Sequence, residues 1–292
     1  MKKLLTYLFL LAIPATLMTS CSDEPINDDG RLYDYERYGL DRPVKSLTVK
    51  IYDTECKGSR VVKGDLKSKY TINFNAVGNE KLNKRYTGDG ELIGYHEFTY
   101  DSNDMLIKKL DYDGNDNLEC CATIEYDGDK LVKQVETYYS EDESGSYENE
   151  FVYTHTWDGE RLVEQIEEWN GILSAVTEYT SYTKTSHEWT TDDKIFGGEW
   201  LCCERFNDSG RLIMYCEDDE VGEVKWNGKN LPVYCKNMTI INNTCPEFSS
   251  ELLGVSFYME YEYDEYGNWI TQTIYMDEDE DPLLISEREI KY

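Results

Sequence analysis

The sequence predicts an all-β chain, an antiparallel meander of repeated β-hairpins forming a twisted, extended or curled sheet. Three observations predict it. Turns recur at a fixed spacing: Phe74-Asn75, Tyr100-Asp101 and Tyr126-Asp127 stand 26 residues apart, and an interleaved series, Tyr86-Thr87 and Tyr112-Asp113, keeps the same interval. Side chains alternate between turns. Ala122, Ile124 and Tyr126 share one face against Thr123 and Glu125, and Phe151, Tyr153, His155 and Trp157 share one against Thr154 and Thr156, which is the period of a half-buried strand. Beyond the first segment, no window of ten residues has convincing helical spacing.

Residues 1–20 read as an address: Lys2-Lys3, an apolar run from Leu4 to Leu17, then Met18-Thr19-Ser20 ahead of Cys21. A basic start, a short apolar core and small residues describe a secretory signal, shorter than the ~20 apolar residues of a membrane span. The Thr19-Ser20-Cys21 end resembles a bacterial lipobox. That resemblance implies that Cys21 becomes the lipid-modified first residue of the mature protein, holding it on outer-membrane lipid with about 0.8 kcal/mol for each buried CH₂. Residues 21–43 then comprise the lipidated Cys and an acidic tether. The stretch Ser22–Gly30 resembles the export signal of surface lipoproteins from Gram-negative gut anaerobes. It implies a lipid-anchored protein of the outer membrane, displayed at the cell surface, with the periplasmic leaflet as the other orientation.

Residues 44–292 read as one repeat domain. Further copies of the turn are Trp157-Asp158-Gly159, Trp169-Asn170-Gly171, Phe206-Asn207, Trp226-Asn227-Gly228 and Tyr263-Asp264. Asp-Gly and Asn-Gly between apolar runs mark hairpins because these residues tolerate positive φ, and self-similarity at a fixed period marks a repeat array. A single sheet, a barrel-like wrap and a sandwich all satisfy the pattern. Ser140–Ser146 reads as a long hairpin loop, and residues 236–254 interrupt the period as an insertion. The segment Tyr261-Glu262-Tyr263-Asp264-Glu265-Tyr266-Gly267-Asn268-Trp269-Ile270 resembles a YD repeat of the Rhs type, with Phe206–Leu212 and Tyr100–Leu106 as degenerate copies. The resemblance covers roughly residues 65–292. It implies hairpin strips wound into an extended sheet or shell, usually at cell surfaces, and no catalytic residues.

Charge narrows the function. Lys plus Arg number 29 against 59 Asp plus Glu, a net charge of −30, so nucleic acid and an anionic membrane face are disfavoured partners. Eight Cys remain besides Cys21, with no CxxC or CxxH spacing, which disfavours zinc. The adjacent pairs Cys120-Cys121 and Cys202-Cys203 can each turn only one thiol inward. Disulfides and buried thiols both remain open.

Asp111, Asp113 and Asn115 alternate like calcium-loop ligands, yet Gly114 falls at the fourth place and Ala122 at the twelfth, where such loops need Gly at the sixth and Glu at the twelfth. An Asp/Asn-rich hairpin turn is the better reading, and no metal or cofactor is expected. His96, His155 and His187 have no nucleophile motif beside them, and no acid pair stands out among 59 carboxylates. Trp157, Trp169, Trp226 and Trp269 are candidates for a ligand platform, with core packing the alternative for each ring. The expectation is a non-enzymatic, lipid-anchored cell-envelope protein acting as a binding or scaffold module for a glycan or an envelope protein. A surface-displayed carbohydrate-active hydrolase is the alternative.

Overall fold

The computed structural model describes residues 34–292, apart from 41, 58–59, 143–144, 196, 208–210, 218–219, 230, 237–238, 243–246, 250–255 and 277–281. The signal, Cys21 and the acidic start of the tether lie outside the described residues. A one-turn helix α1 (Asp34–Arg37) precedes β1 (Ser46–Lys57), β2 (Arg60–Phe74), β3 (Glu80–Thr87), β4 (Leu92–Tyr100), β5 (Leu106–Asp113), β6 (Leu118–Asp127) and β7 (Lys130–Asp142). Then come β8 (Gly145–Asp158), β9 (Arg161–Trp169), β10 (Ile172–Thr183), β11 (Ser186–Asp193), β12 (Gly198–Phe206), β13 (Leu212–Glu217) and β14 (Glu220–Trp226). The chain ends with β15 (Pro232–Lys236), β16 (Thr239–Asn242), β17 (Glu247–Ser249), β18 (Ser256–Tyr263), β19 (Trp269–Met276) and β20 (Pro282–Lys291).

Eighteen of these strands form one antiparallel sheet that closes on itself. Each strand pairs with the next, β15 pairs with β18, and β20 pairs with β1 from Ser46↔Lys291 to Tyr52↔Ile285. The result is a β-barrel rather than an open twisted sheet. An open meander would leave β1 and β20 as unpaired edges, and their mutual ladder removes both. The strands β16 and β17 form a separate two-stranded sheet where the repeat period breaks.

Alternating strand direction explains the two interleaved turn series. Turns after even-numbered strands all lie at one end of the barrel, and those after odd-numbered strands lie at the other. One hairpin and its return connection take 26 residues here, so the series of Phe74-Asn75, Tyr100-Asp101 and Tyr126-Asp127 occupies the first end, with Trp157-Asp158, Phe206-Asn207, Trp226-Asn227 and Tyr263-Asp264. Tyr86-Thr87, Tyr112-Asp113 and Trp169-Asn170 occupy the far end. The Asx side chain builds the turn. Asp101 Oδ1 accepts from the backbone N–H of Asn103 and Met105, both at 2.8 Å, and Asp264 Oδ1 accepts from Tyr266 and Asn268, both at 2.9 Å. Asp104 and Asp116 take up the left-handed conformation inside such turns, at φ 60° and 66°, which short polar side chains tolerate.

Direct cross-strand partners share a sheet face. The register Leu47↔Ile72↔Asn83↔His96↔Asp111↔Cys120↔Tyr138 therefore traces one face across β1–β7. The same face carries Tyr153, His187, Tyr215, Cys235, Met259, Ile274 and Ser286, all buried. This is the inner face. Glu97, Glu119, Glu125, Lys133, Glu150, Glu164, Glu168, Glu178 and Glu188 occupy the alternate, outward positions.

The stretch 34–44 does not behave as tether. Tyr38 (1% exposed), Leu40 and Val44 join Leu47, Val49, Ile51, Ile72 and Phe74 in one apolar cluster. Asp34 Oδ2 accepts from the Glu80 N–H at 2.6 Å and from the Tyr100 hydroxyl at 2.9 Å, while Arg288 donates to the Tyr38 carbonyl at 2.6 Å. Arg211 donates to the Glu36 carbonyl at 3.2 Å. Gly39, at φ +66°, passes so near Leu231 that a Cβ would stand 2.7 Å from it. Touching β3, β4, β20 and the turns before β13 and β15, the segment straps across the first end of the barrel. Burial of its apolar side chains outweighs the acidic composition that suggested a solvated tether.

Candidate functional site

The inner wall of β4–β12 mixes apolar side chains such as Ala122 and Ile124 with polar ones that bond one another. Glu136 is buried and accepts from Gln134 Nε2 at 2.7 Å and from the Tyr138 hydroxyl at 2.6 Å. His187 Nδ1 meets Glu204 Oε2 at 3.2 Å, with Tyr182 stacked on the imidazole at 4.2 Å between ring centres. His96 Nδ1 and Lys109 Nζ both meet the Asp111 carboxylate. Burial works to raise the Asp111 carboxyl, but the His96 hydrogen bond and the Lys109 charge outweigh it and hold the group below its usual range. Burial, aided by the Asp111 and Glu136 charges, pushes the Cys120 thiol up to about 12. His155 lies between Tyr153 and Trp157 on the inner face; burial lowers it to about 4 against a hydrogen bond with Gln165.

The calcium candidates are otherwise engaged. Asp113 Oδ1 accepts from the N–H of Asn115 and Asn117, each at 2.8 Å, and its Oδ2 accepts from the Asn117 amide at 2.9 Å. The Asn115 amide also turns to Asp113. Asp113 and Asn115 build the hairpin turn, Asp111 lies within β5 bound to His96 and Lys109, and no metal-ligating cluster occurs among the described residues.

The four tryptophans share no surface. Trp269 is 1% exposed, with the Arg288 guanidinium 3.3 Å from its ring centre, so it is core and not platform. Trp157 and Trp226 lie half-buried at the strapped end, their indole N–H groups donated to the Leu131 and Leu212 carbonyls at 2.7 Å. Trp169, 38% exposed, stands at the far end with its ring stacked on Phe151. The far end thus holds Trp169 apart from the other three, of which Trp269 is buried.

Cys203 and Cys216, direct partners on β12 and β13, form a disulfide, Cys120 and Cys121 carry free thiols, and the Tyr215 hydroxyl donates to Cys202 Sγ at 3.6 Å. Cys202 turns inward and Cys203 outward, as alternation requires. Cys245 and the side chain of Cys56 lie outside the described residues.

Two hollows open on the described surface. One of about 440 Å³ is lined by Asn227, Val233, Met259, Glu260, Tyr261, Glu262, Tyr263 and Thr273. Another, of about 80 Å³, is lined by Thr48, Lys50, Glu287, Arg288 and Glu289. In each the two carboxylates are alternate residues of one strand, so they face the same side instead of flanking a bound sugar ring.

What sequence reading missed is the distribution of charge around the ring. Residues 45–109 hold 12 Lys and Arg against 9 Asp and Glu, and residues 110–292 hold 12 against 43. A strand-by-strand tally would have exposed this basic sector, which whole-chain charge conceals.

No family model matches the chain, and no curated protein matches it in sequence. Among solved structures it is similar to a porin-like protein from Bacteroides uniformis at 12% identity and TM-score 0.39, over 85% of this chain and 97% of that one. It is also similar to a chain of the TcdB2-TccC3-Cdc42 structure at 9% identity and TM-score 0.28, over 76% of this chain and 15% of that one. Likenesses this loose carry no argument about function.

Proposed function

We propose that the protein is a non-enzymatic, lipid-anchored cell-envelope protein, its YD-like hairpin barrel serving as a binding or scaffold module for a glycan or protein partner. The observation that carries this reading is the division of the barrel wall: packed side chains line the inside, and charged residues point outward. A barrel that crosses a bilayer needs an apolar outer band, and outward charges at mid-membrane cost about 2–4 kcal/mol for each Arg or Lys. Glu119, Glu164, Glu178 and Lys133 on the outer face favour water. Attachment then falls to Cys21, and recognition to the outer wall and rims.

Fractionation of cells expressing Cys21→Ala tests the anchor. The variant is expected in the soluble fraction without detergent; persistence in membranes overturns the tethered reading. Incubation of the full-length protein with neutral and acidic polysaccharides tests the non-enzymatic reading, and release of reducing sugar overturns it.

A further inference from the structure

The basic sector has a defined outer face. Lys50 and Lys69 are direct partners on β1 and β2, and Lys69 is the direct partner of Tyr86 on β3. One row along, Lys84 pairs with Tyr95, and Tyr95 with Tyr112. Lys69 Nζ lies 4.2 Å from the Tyr86 ring centre and Lys84 Nζ 5.4 Å from that of Tyr95. Tyr95 and Tyr112 stack at 4.6 Å and 14°. All six side chains are half-exposed.

Cross-strand Lys–Tyr pairs stabilise a sheet through cation–π contact, which accounts for two of the three lysines. It does not account for Lys50 opposite Lys69, since like charges placed directly across strands destabilise. The acidic chain has no shortage of carboxylates to separate them, as Lys63–Glu287 and Lys67–Asp53 show nearby. None of Lys50, Lys69 and Lys84 forms an ion pair among the described residues. The carboxylates facing this patch are Glu287 on β20, directly opposite Lys50, its neighbour Glu289, Glu97 on β4 in the next row, and Asp116 in the turn after β5, which accepts from the Tyr95 hydroxyl.

We propose that this outer face of β1–β5 binds an acidic polysaccharide, a sugar chain bearing carboxylate or sulfate groups. Cations one strand spacing apart, ~4.8 Å, beside π-surfaces offer charge to each acidic group and ring contact to the apolar C–H face of the sugar. A linear chain follows the basic sector alone. An anionic bilayer is a plane and brings its charge against the flanking carboxylates as well. At physiological salt the screening length is ~8 Å, so the strongly acidic remainder of the barrel does not cancel attraction at the patch. The proposal rests on the binding-module reading and names its ligand class.

The test uses full-length protein in non-ionic detergent, with polygalacturonate as probe, dextran as the neutral control, and phosphatidylglycerol vesicles as the lipid control. Polygalacturonate is expected to bind at low salt and weaken as salt rises, with no binding to dextran. The triple variant K50Q/K69Q/K84Q is expected to bind about tenfold more weakly, and K50R/K69R/K84R to retain binding; all six substitutions are on the surface, and a thermal melt checks folding. Equal binding of polygalacturonate and dextran overturns the proposal, as does unchanged binding by the triple Gln variant. Capture by vesicles but not by the polymer also overturns it and assigns the patch to lipid. Purified protein is measured throughout, so failure of the Cys21 fractionation leaves this result unaffected.

Discussion

The seam that closes the barrel and the hairpin arc across from it are lined differently. At the seam, β20–β1–β2, the inner positions Leu47, Val49, Ile51 and Ile72 pack under Tyr38 and Leu40 of the strap. In the arc β4–β9 the inner positions include His96, Asp111, Gln134 and Glu136, joined in polar pairs. The sequence distance between paired residues separates the two. Neighbouring hairpins meet through short turns, whereas Ser46 meets Lys291 across nearly the whole chain. Closing so long a loop costs more chain entropy, and apolar burial at the seam, at roughly 25 cal/mol per Å², offsets it. The arc is held locally and tolerates polar lining as long as each group finds a partner.

The largest effect expected from this contrast is at Trp269, which joins strap and seam. Trp269→Ala should destabilise by about 3–5 kcal/mol, as large-to-small core changes do, and it removes the ring under Arg288. Trp169→Ala at the far end, which loses the Phe151 stack, should cost less, about 0.5–1.5 kcal/mol. Thermal or denaturant unfolding of both variants reads this directly. Equal losses would erase the distinction between seam and arc.

A second, smaller effect belongs to the arc. His155 titrates near 4 in the folded chain because burial disfavours its charged form, against ~6.5 when unfolded. Between those values the unfolded chain binds more protons, so stability rises with pH. The protein should therefore lose up to about 2 kcal/mol as pH falls from ~6.5 towards 4, after discounting for partial exposure. His155→Phe should flatten that slope. Asp111 acts in a lower window: its depressed carboxyl contributes stability above the ordinary carboxylate value that is lost only as pH falls through the folded one. An unchanged slope in His155→Phe between pH 6.5 and 4 would place the proton uptake elsewhere.

The same contrast explains what was legible in the sequence. Strand, turn and face are local properties, and the 26-residue period with the alternation around Ile124 and Tyr153 revealed them. Barrel closure depends on the register of β1 with β20, for which no local signal exists. Tyr35, Tyr38, Leu40 and Val44 are an apolar set hidden among Asp34, Glu36 and Asp41, and composition over that window reads as solvated. Trp269 opens β19. Alternation shows only that a ring takes one face or the other, and the depth of that face comes from the strap laid over it.

The smallest effect probes whether the arc is built from repeated local joints. Tyr126 donates its hydroxyl to the Leu106 carbonyl at 3.1 Å, as Trp157 does with its indole N–H to Leu131 and Trp226 to Leu212. In each case the turn aromatic at the end of one strand bonds the first residues of the preceding strand, which favours Tyr and Trp over Phe at these sites. Tyr126→Phe keeps the ring and deletes the bond, so it should cost about 0.5–1.5 kcal/mol. Hydrogen exchange should show the loss confined to the amides of β5 and β6, with the seam ladder of β1 and β20 unaffected. Loss of protection spreading equally to the seam would mean that arc and seam open as one cooperative unit, and that the hairpins are not independently secured.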